Sequence, residues 1–200
     1  MQRRKRIGFD FDDVLYDFNS GLFVFHNEKY GTSYTLKDVT RYDFKELWQC
    51  DEKEALRRMK EFVRSEYHDR ALPIEGAVEA VTSLELLHDL YVITARDENL
   101  APATERVSAI HFPDRFKGIH YLHRNDINVL GTKGDVCLSL EIDLMVEDSL
   151  GNAEHLSQAG IRTLLFDRPW NQTPMLPQHV TRVFGWGHAQ EQITLHFSKG

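Results

Sequence analysis

Short apolar runs of strand length alternate along this chain with stretches whose apolar residues recur every three or four positions. The runs predict strands over residues 7–11, 91–94, 144–146 and 162–166, with a weaker one at 118–122 and a last short one at 181–184. Between them, 76–88 carries Val78, Val81, Leu84 and Leu87 at helical spacing. Segments 132–140 and 150–159 read as helices too, the second closed by Gly160 as a C-terminal cap. A final helix at 187–197 is expected to cover a face of the sheet. Strands and helices in this alternation predict an α/β fold with a Rossmann-like parallel sheet.

Residues 17–72 break the rhythm. They hold helical signals at 18–30 and 51–66 but no apolar run suited to a buried strand. The chain leaves directly after the first strand and returns at Leu72-Pro73. The expectation is a core domain of residues 1–16 and 73–200 with a small helical cap, 17–72, inserted over the carboxyl ends of the strands. Open α/β sheets bind ligands at that edge.

The polar residues at the predicted strand ends carry the candidate chemistry. The first strand runs into Phe9-Asp10-Phe11-Asp12-Asp13-Val14-Leu15. Three carboxylates within four residues repel one another and are costly near a buried strand end unless a cation is present. A helix cap or acidic turn needs only one Asp. Thr94-Ala95-Arg96 ends the second strand, and a hydroxyl followed by a backbone N–H suits a phosphate oxygen. Lys133 opens a helix after Gly131-Thr132, where its charge is placed to neutralise a phosphoryl group. Glu147-Asp148 ends the strand Leu144-Met145-Val146, and a second acidic pair suits a hard divalent ion such as magnesium. Taken singly, Thr94 reads equally as a turn residue, Lys133 as a solvated helix start and Glu147-Asp148 as an N-terminal cap. Their joint order, each at the end of a βα unit, is what points to one site.

Charge narrows the partners. The formal net charge of -7 argues against a broad nucleic-acid-binding face, so no nucleic-acid polymer is expected. Arg3-Arg4-Lys5-Arg6 is the local exception, a basic terminus or a nucleic-acid or targeting patch. Cys50 and Cys137 are too few for a disulfide framework or zinc site, and His120 and His123 lack further ligands beside them. No stretch reaches the ~20 apolar residues of a membrane span, and no signal-peptide apolar core follows the basic start. A cytoplasmic protein without a membrane partner is the expectation, with a second copy of the chain as a candidate partner.

These motifs resemble those of the haloacid dehalogenase superfamily of phosphotransferases. Asp10-Phe11-Asp12-Asp13-Val14-Leu15 is similar to its first motif, with Asp13 where glycine is frequent. Thr94 matches the second motif, Lys133 the third and Glu147-Asp148 the fourth. A closer resemblance, to the cytosolic type C 5'-nucleotidases (the 5'(3')-deoxyribonucleotidase family), rests on Asp12-Asp13-Val14-Leu15-Tyr16-Asp17-Phe18, Leu72-Pro73-Ile74-Glu75-Gly76-Ala77-Val78-Glu79-Ala80, Ile93-Thr94-Ala95-Arg96 and Val146-Glu147-Asp148-Ser149. The run Ala159-Gly160-Ile161-Arg162-Thr163-Leu164-Leu165-Phe166-Asp167-Arg168-Pro169 resembles bacterial members.

The resemblance implies a magnesium-dependent phosphatase. Asp10 is the nucleophile that forms an aspartyl-phosphate, and Asp12 protonates the leaving oxygen and then activates water. The ion is held by Asp10, the backbone carbonyl of Asp12 and Asp148, with Glu147 a second or water-mediated ligand. Thr94, Ala95 and Lys133 hold phosphate. The expected substrate is a small phosphorylated metabolite, a nucleoside monophosphate first. A sugar phosphate, a phosphomutase reaction, or phosphate binding without turnover stand as alternatives.

The cap is rich in aromatic residues, and a base stacked on an aromatic ring gains about 1–3 kcal/mol. Phe18 matches the family position that stacks on the base; Tyr42, Phe44 and Trp48 follow as substrate-binding candidates. Arg96 is expected to touch phosphate or substrate, or to pair with a carboxylate of the cap.

Overall fold

The computed structural model describes residues 3–123 and 131–198; the side chain of His123 lies outside the described residues. Six strands form one parallel sheet: β1 (Lys5–Phe9), β2 (His88–Asp97), β3 (Gly118–His123), β4 (Leu144–Glu147), β5 (Arg162–Phe166) and β6 (Val180–Val183), in the spatial order β3-β2-β1-β4-β5-β6. This is the doubly wound order, and the direction of winding reverses between β1 and β4.

After β1 come α1 (Phe18–Tyr30), α2 (Phe44–Trp48), α3 (Glu52–Val63) and α4 (Glu66–Arg70), followed by α5 (Ala77–Glu85). Then α6 (Ala101–His111), α7 (Lys133–Ser139), α8 (Leu150–Gln158) and α9 (Trp186–Phe197) flank the sheet. Helix α6 was not legible as a helix: Ala101-Pro102-Ala103-Thr104-Glu105 starts it with little apolar period.

Strand alternation sends side chains to both faces. Ile93, Met145 and Ile161 meet Cys137 of α7 and Leu156 of α8 on one face. Phe9, Val92, Val146 and Phe166 meet Val81 of α5 and Trp186 and Ile193 of α9 on the other. The chain leaves α8 through Gly160, whose φ of +73° carries the left-handed turn expected of it.

Helix α5 ends at Glu85 rather than 88, because Leu86 and Leu87 face solvent and His88 already pairs with Lys5 in the sheet. The Arg4 guanidinium closes that helix, donating to the backbone oxygens of Glu85, Leu86 and His88 at 2.5, 3.1 and 2.7 Å. The rest of the basic run is engaged as well. Arg3 and Lys5 pair with Asp143, and Arg6 with Glu141. Arg3-Arg4-Lys5-Arg6 thus ties the amino end of the central strand β1 to the segments beside it.

The helices α1–α4 form the insert. Its two stems meet in an antiparallel junction, where Asp17 N–H donates to the Leu72 oxygen and Ile74 N–H to the Leu15 oxygen, both at 3.0 Å. Asp17 also caps α1, accepting from Ser20 N–H, and Gly31 ends that helix at φ +66°. Phe23, Phe25, Phe44, Trp48 and Phe62 fill the interior of the insert and join the main core. Among the described residues no helix is long and apolar enough to cross a membrane.

Candidate active site

The crowding of carboxylates follows from the sheet order. Strands β1 and β4 are neighbours with Phe9 opposite Val146, so the residues just past each strand, Asp10 and the pair Glu147-Asp148, converge at the switch point. Asp10 N–H donates to the Val146 oxygen at 2.9 Å, which fixes the spacing. Oxygens of Asp10, Glu147 and Asp148 lie within 4.8 Å of one another, all buried.

Lys133 enters this cluster from the first turn of α7, whose N-terminus is capped by Thr132. Its ammonium, wholly buried, stands 2.8 Å from Asp10 Oδ1 and 2.5 Å from Glu147 Oε2. Burial works against its charge, yet Asp10 and Glu147 outweigh it and hold the ammonium above its ordinary value. Glu147 Oε1 accepts from Ser149 N–H and Asn152 Nδ2, so both of its oxygens are engaged. Glu147 is thus the counter-ion to Lys133 within the cluster, and among the described residues Asp148 holds one side-chain bond, from Trp170 Nε1 to Oδ2 at 2.9 Å.

Burial pushes the Asp10 carboxyl up to about 6, with Lys133 opposing and Glu147 assisting. Burial likewise raises Asp148, reinforced by Glu147 and Asp10, and raises Asp13, reinforced by Asp12. Five carboxylates (Asp10, Asp12, Asp13, Glu147 and Asp148) share the site with three cationic side chains, Lys133, Arg96 and Arg168. An oxygen-only set of buried donors with excess negative charge fits a hard divalent cation.

Asp13 takes φ +56°, the conformation that favours glycine, and so explains the residue type usual at this place. Its carboxylate accepts from Asn19 N–H and Nδ2 at 3.1 and 2.7 Å, and Arg168 Nη2 donates to its backbone oxygen at 2.6 Å. The turn that presents Asp10 and Asp12 is thereby held on both sides.

Asp12 reaches the opposite wall. Arg96 donates to it twice, Nε to Oδ2 at 2.9 Å and Nη2 to Oδ1 at 2.6 Å. The carboxylate that Arg96 pairs with is this one of the core rather than one of the insert, and Arg96 also lines the cavity. Thr94, buried at the end of the apolar part of β2, accepts from Arg96 N–H through Oγ1, while Ala95 is exposed to the cavity.

A cavity of about 980 Å³ opens above these groups, between the insert and β2–α6. Asp10, Asp12, Thr94, Ala95, Arg96 and Asp148 form its floor. Of the aromatic candidates, Phe18 and Tyr42 line it. Phe18 is largely packed, edge-on to Phe62 at 5.2 Å and beneath Arg96 at 5.5 Å. Tyr42, about half exposed, sets its ring against Trp170 at 5.8 Å. Burial and the negative field of Asp13 and Asp12 push its hydroxyl above its ordinary value. Phe44 and Trp48 do not reach the cavity. They are buried among the helices that follow β1, with Trp48 stacked on His26 at 4.6 Å, as part of the continuous apolar core.

Asn19, Arg168, Trp170 and Asn171 were not singled out from the sequence. Asn171 Nδ2 donates to the backbone oxygens of Asp148 and Phe166, both at 2.6 Å, tying the end of β5 to the end of β4. The signal available was Pro169-Trp170-Asn171 directly after a strand end, an indole and an amide where only a turn is needed. His120 packs against Tyr91 on β2, on the sheet rather than at this site.

A doubly wound sheet with an Asp-x-Asp turn, a buried lysine and a second acidic pair at one switch point, beneath a helical insert, defines a phosphatase of the haloacid dehalogenase type. Comparison with known proteins narrows the class. Residues 4–197 match the model of the family described as 5' nucleotidase, deoxy (pyrimidine), cytosolic type C, and the chain belongs to that family. It is 32% identical over 184 residues to the candidate nucleotidase YqfW of Bacillus subtilis, covering 90% of this chain and 89% of that protein. In fold it is similar to a haloacid dehalogenase-like hydrolase of Streptococcus pneumoniae (TM-score 0.68, 15% identity, 97% of this chain and 98% of that one). It is also similar to the Bacillus subtilis hydrolase YfnB, solved with bound magnesium (TM-score 0.65, 17% identity, 96% and 100%).

Proposed function

We propose that this protein is a cytosolic, magnesium-dependent nucleotidase that hydrolyses nucleoside monophosphates through an aspartyl-phosphate on Asp10. The observation that carries the reading is Asp10 itself. It is a buried carboxylate between Lys133 and Asp148, at the floor of a cavity large enough for a nucleotide, with Asp12 lining the same cavity. Support for the substrate class comes from the family and from its nucleotidase relative.

In this reading a carboxylate oxygen of Asp10 attacks phosphorus as the bond to the leaving oxygen breaks. Asp12 delivers the proton that makes the leaving group an alcohol. Asp12 then takes a proton from water, the resulting hydroxide attacks the aspartyl-phosphate, and the bond between phosphorus and Asp10 breaks to release inorganic phosphate. Lys133, Thr94 and the N–H of Ala95 position the phosphoryl oxygens, which is most of the work in such a transfer. Asp10, Asp148 and the backbone carbonyl of Asp12 would hold magnesium, whose charge would offset the repulsion between the carboxylate nucleophile and the phosphate. Residues 17–72 act as the cap, with Tyr42 and Phe18 facing the nucleoside.

The test is phosphate release from a panel of nucleoside and sugar monophosphates with magnesium present, alongside Asp10→Asn. Nucleoside products that vanish in the variant are expected. Release from sugar phosphates alone, or full activity of the variant, would remove this assignment.

A further inference from the structure

Arg96 is built into its place on every side. Two of its N–H groups hold both oxygens of Asp12. Nη1 donates to Thr104 Oγ1 at 2.9 Å and lies 3.3 Å from His68 Nε2. Because a guanidinium only donates, His68 accepts through Nε2 and carries its proton on Nδ1, toward Asp69 at 3.3 Å. The guanidinium face is covered by Phe11 at 4.8 Å and by Tyr16 and Phe18 at 5.5 Å. Arg96 is buried, and among the described residues Asp12 is the carboxylate it pairs with. A planar fork so enclosed fixes the direction of whatever it grips.

We propose that Arg96 is the positioning residue for Asp12, and that through His68 it ties the orientation of this carboxylate to the seating of the helical insert. The inference rests on Asp12 being the acid–base group. His68 lies on α4 of the insert, Thr104 on α6 of the core, and Asp12 on the turn after β1, so Arg96 is the point where three elements meet. A second fastener acts at the same corner: the Tyr16 hydroxyl donates to the His68 backbone oxygen at 2.5 Å. While the insert is seated, all of these contacts hold together and Asp12 faces the cavity in one direction. A shift of the insert that withdraws His68 leaves Arg96 with one fewer anchor and Asp12 with a looser grip.

Leaving-group chemistry separates this role from plain structural support. A nucleoside alkoxide must receive a proton as it departs, whereas p-nitrophenolate leaves without one. Misdirecting Asp12 therefore penalises the first substrate and spares the second in the phosphorylation step. The experiment measures kcat and KM for a nucleoside monophosphate and for p-nitrophenyl phosphate in the wild type, Arg96→Met, Arg96→Lys and His68→Phe, with thermal melts of each.

Arg96→Met is expected to lower kcat/KM on the nucleotide about 100-fold or more, the range of acid–base contributions, with less than a tenth of that effect on kcat/KM for the aryl ester. The readout is kcat/KM because it ends at phosphorylation, whereas kcat also contains the Asp12-assisted hydrolysis common to both. Arg96→Lys, which keeps the charge but not the fork, should fall between. His68→Phe should shift the same ratio in the same direction by a smaller factor. Equal losses on both substrates, or a change confined to KM, would overturn the inference while leaving the phosphatase assignment intact. A wild type that hydrolyses neither ester overturns both.

Discussion

Lys133 and Glu147 meet with Nζ and Oε2 at 2.5 Å, and neither side chain is exposed. A buried pair of this kind contributes little net stability, but removing one partner strands the other. Lys133→Met leaves Glu147 and Asp10 buried without their cation and should cost about 3–5 kcal/mol of unfolding free energy. Adding Glu147→Gln removes one of the two stranded charges and should recover a good part of that loss, although hydrolysis stays absent in both variants. Urea unfolding of the single and double variants measures the difference. A double variant no more stable than the single would show that Glu147 does not need the lysine.

Trp170 makes the one side-chain hydrogen bond to Asp148 among the described residues, through Oδ2. That bond sets which way the carboxylate turns and leaves Oδ1 for an ion. Donors of this kind, when deleted, typically cost 10–100-fold in metal affinity. Trp170→Phe keeps a ring beside Tyr42 and deletes only the N–H. It should weaken magnesium binding by that factor in a calorimetric titration, with a loss of about 1 kcal/mol in metal-free stability. Unchanged affinity would assign Trp170 to packing alone.

His68 makes stability pH-dependent in a definite direction. Burial, aided by the neighbouring Arg96, lowers its pKa from 6.5 to about 4, so it is neutral in the folded protein. Its contribution is fully present above the unfolded value and is lost as pH falls through this window, because the unfolded chain takes up the proton first. A depression of that size corresponds to roughly 3 kcal/mol at most. His68→Gln retains an acceptor for Arg96 and does not titrate. The wild-type advantage over it should shrink by up to that amount between about pH 7 and pH 4. Parallel stability curves for the two proteins would contradict the assignment.

Two strand ends were legible because each polar group there follows an apolar run too regular to be a loop: Asp10 after Ile7-Gly8-Phe9 and Asp148 after Met145-Val146. Thr94 ends only the apolar part of β2, which shifts register and runs on to Asp97. Helix α1 was legible to the residue, since Asp17 and Gly31 punctuate it at both ends. What stayed hidden depends on contacts between distant positions. Arg96 and Asp12 stand 84 residues apart, and nothing local tells an arginine which carboxylate it will face. Lys133 and Glu147 pair across 14 residues, so the sequence alone did not show that this carboxylate also faces the buried ammonium. The aromatics of the insert posed the same problem, because a ring that lines a pocket and one that fills a core have identical local signatures.

Tyr42 and Trp48, six residues apart, make that last distinction measurable. Tyr42 lines the cavity, while Trp48 is buried between His26 and Phe44 at ring distances of 4.6 and 4.9 Å. Truncating a buried Trp leaves a void that costs about 3–5 kcal/mol. Trp48→Ala should therefore lower the unfolding free energy by that amount while the folded fraction keeps its KM for nucleotide. Tyr42→Ala removes a half-exposed ring and should cost about 1 kcal/mol in stability, yet raise KM roughly 5- to 100-fold if the ring stacks on the base. Its effect on p-nitrophenyl phosphate should differ, since that ester offers a smaller ring to the same wall. A Tyr42 variant with unaltered KM for every nucleotide would place base recognition elsewhere on the insert, with Phe18 the remaining aromatic at the cavity.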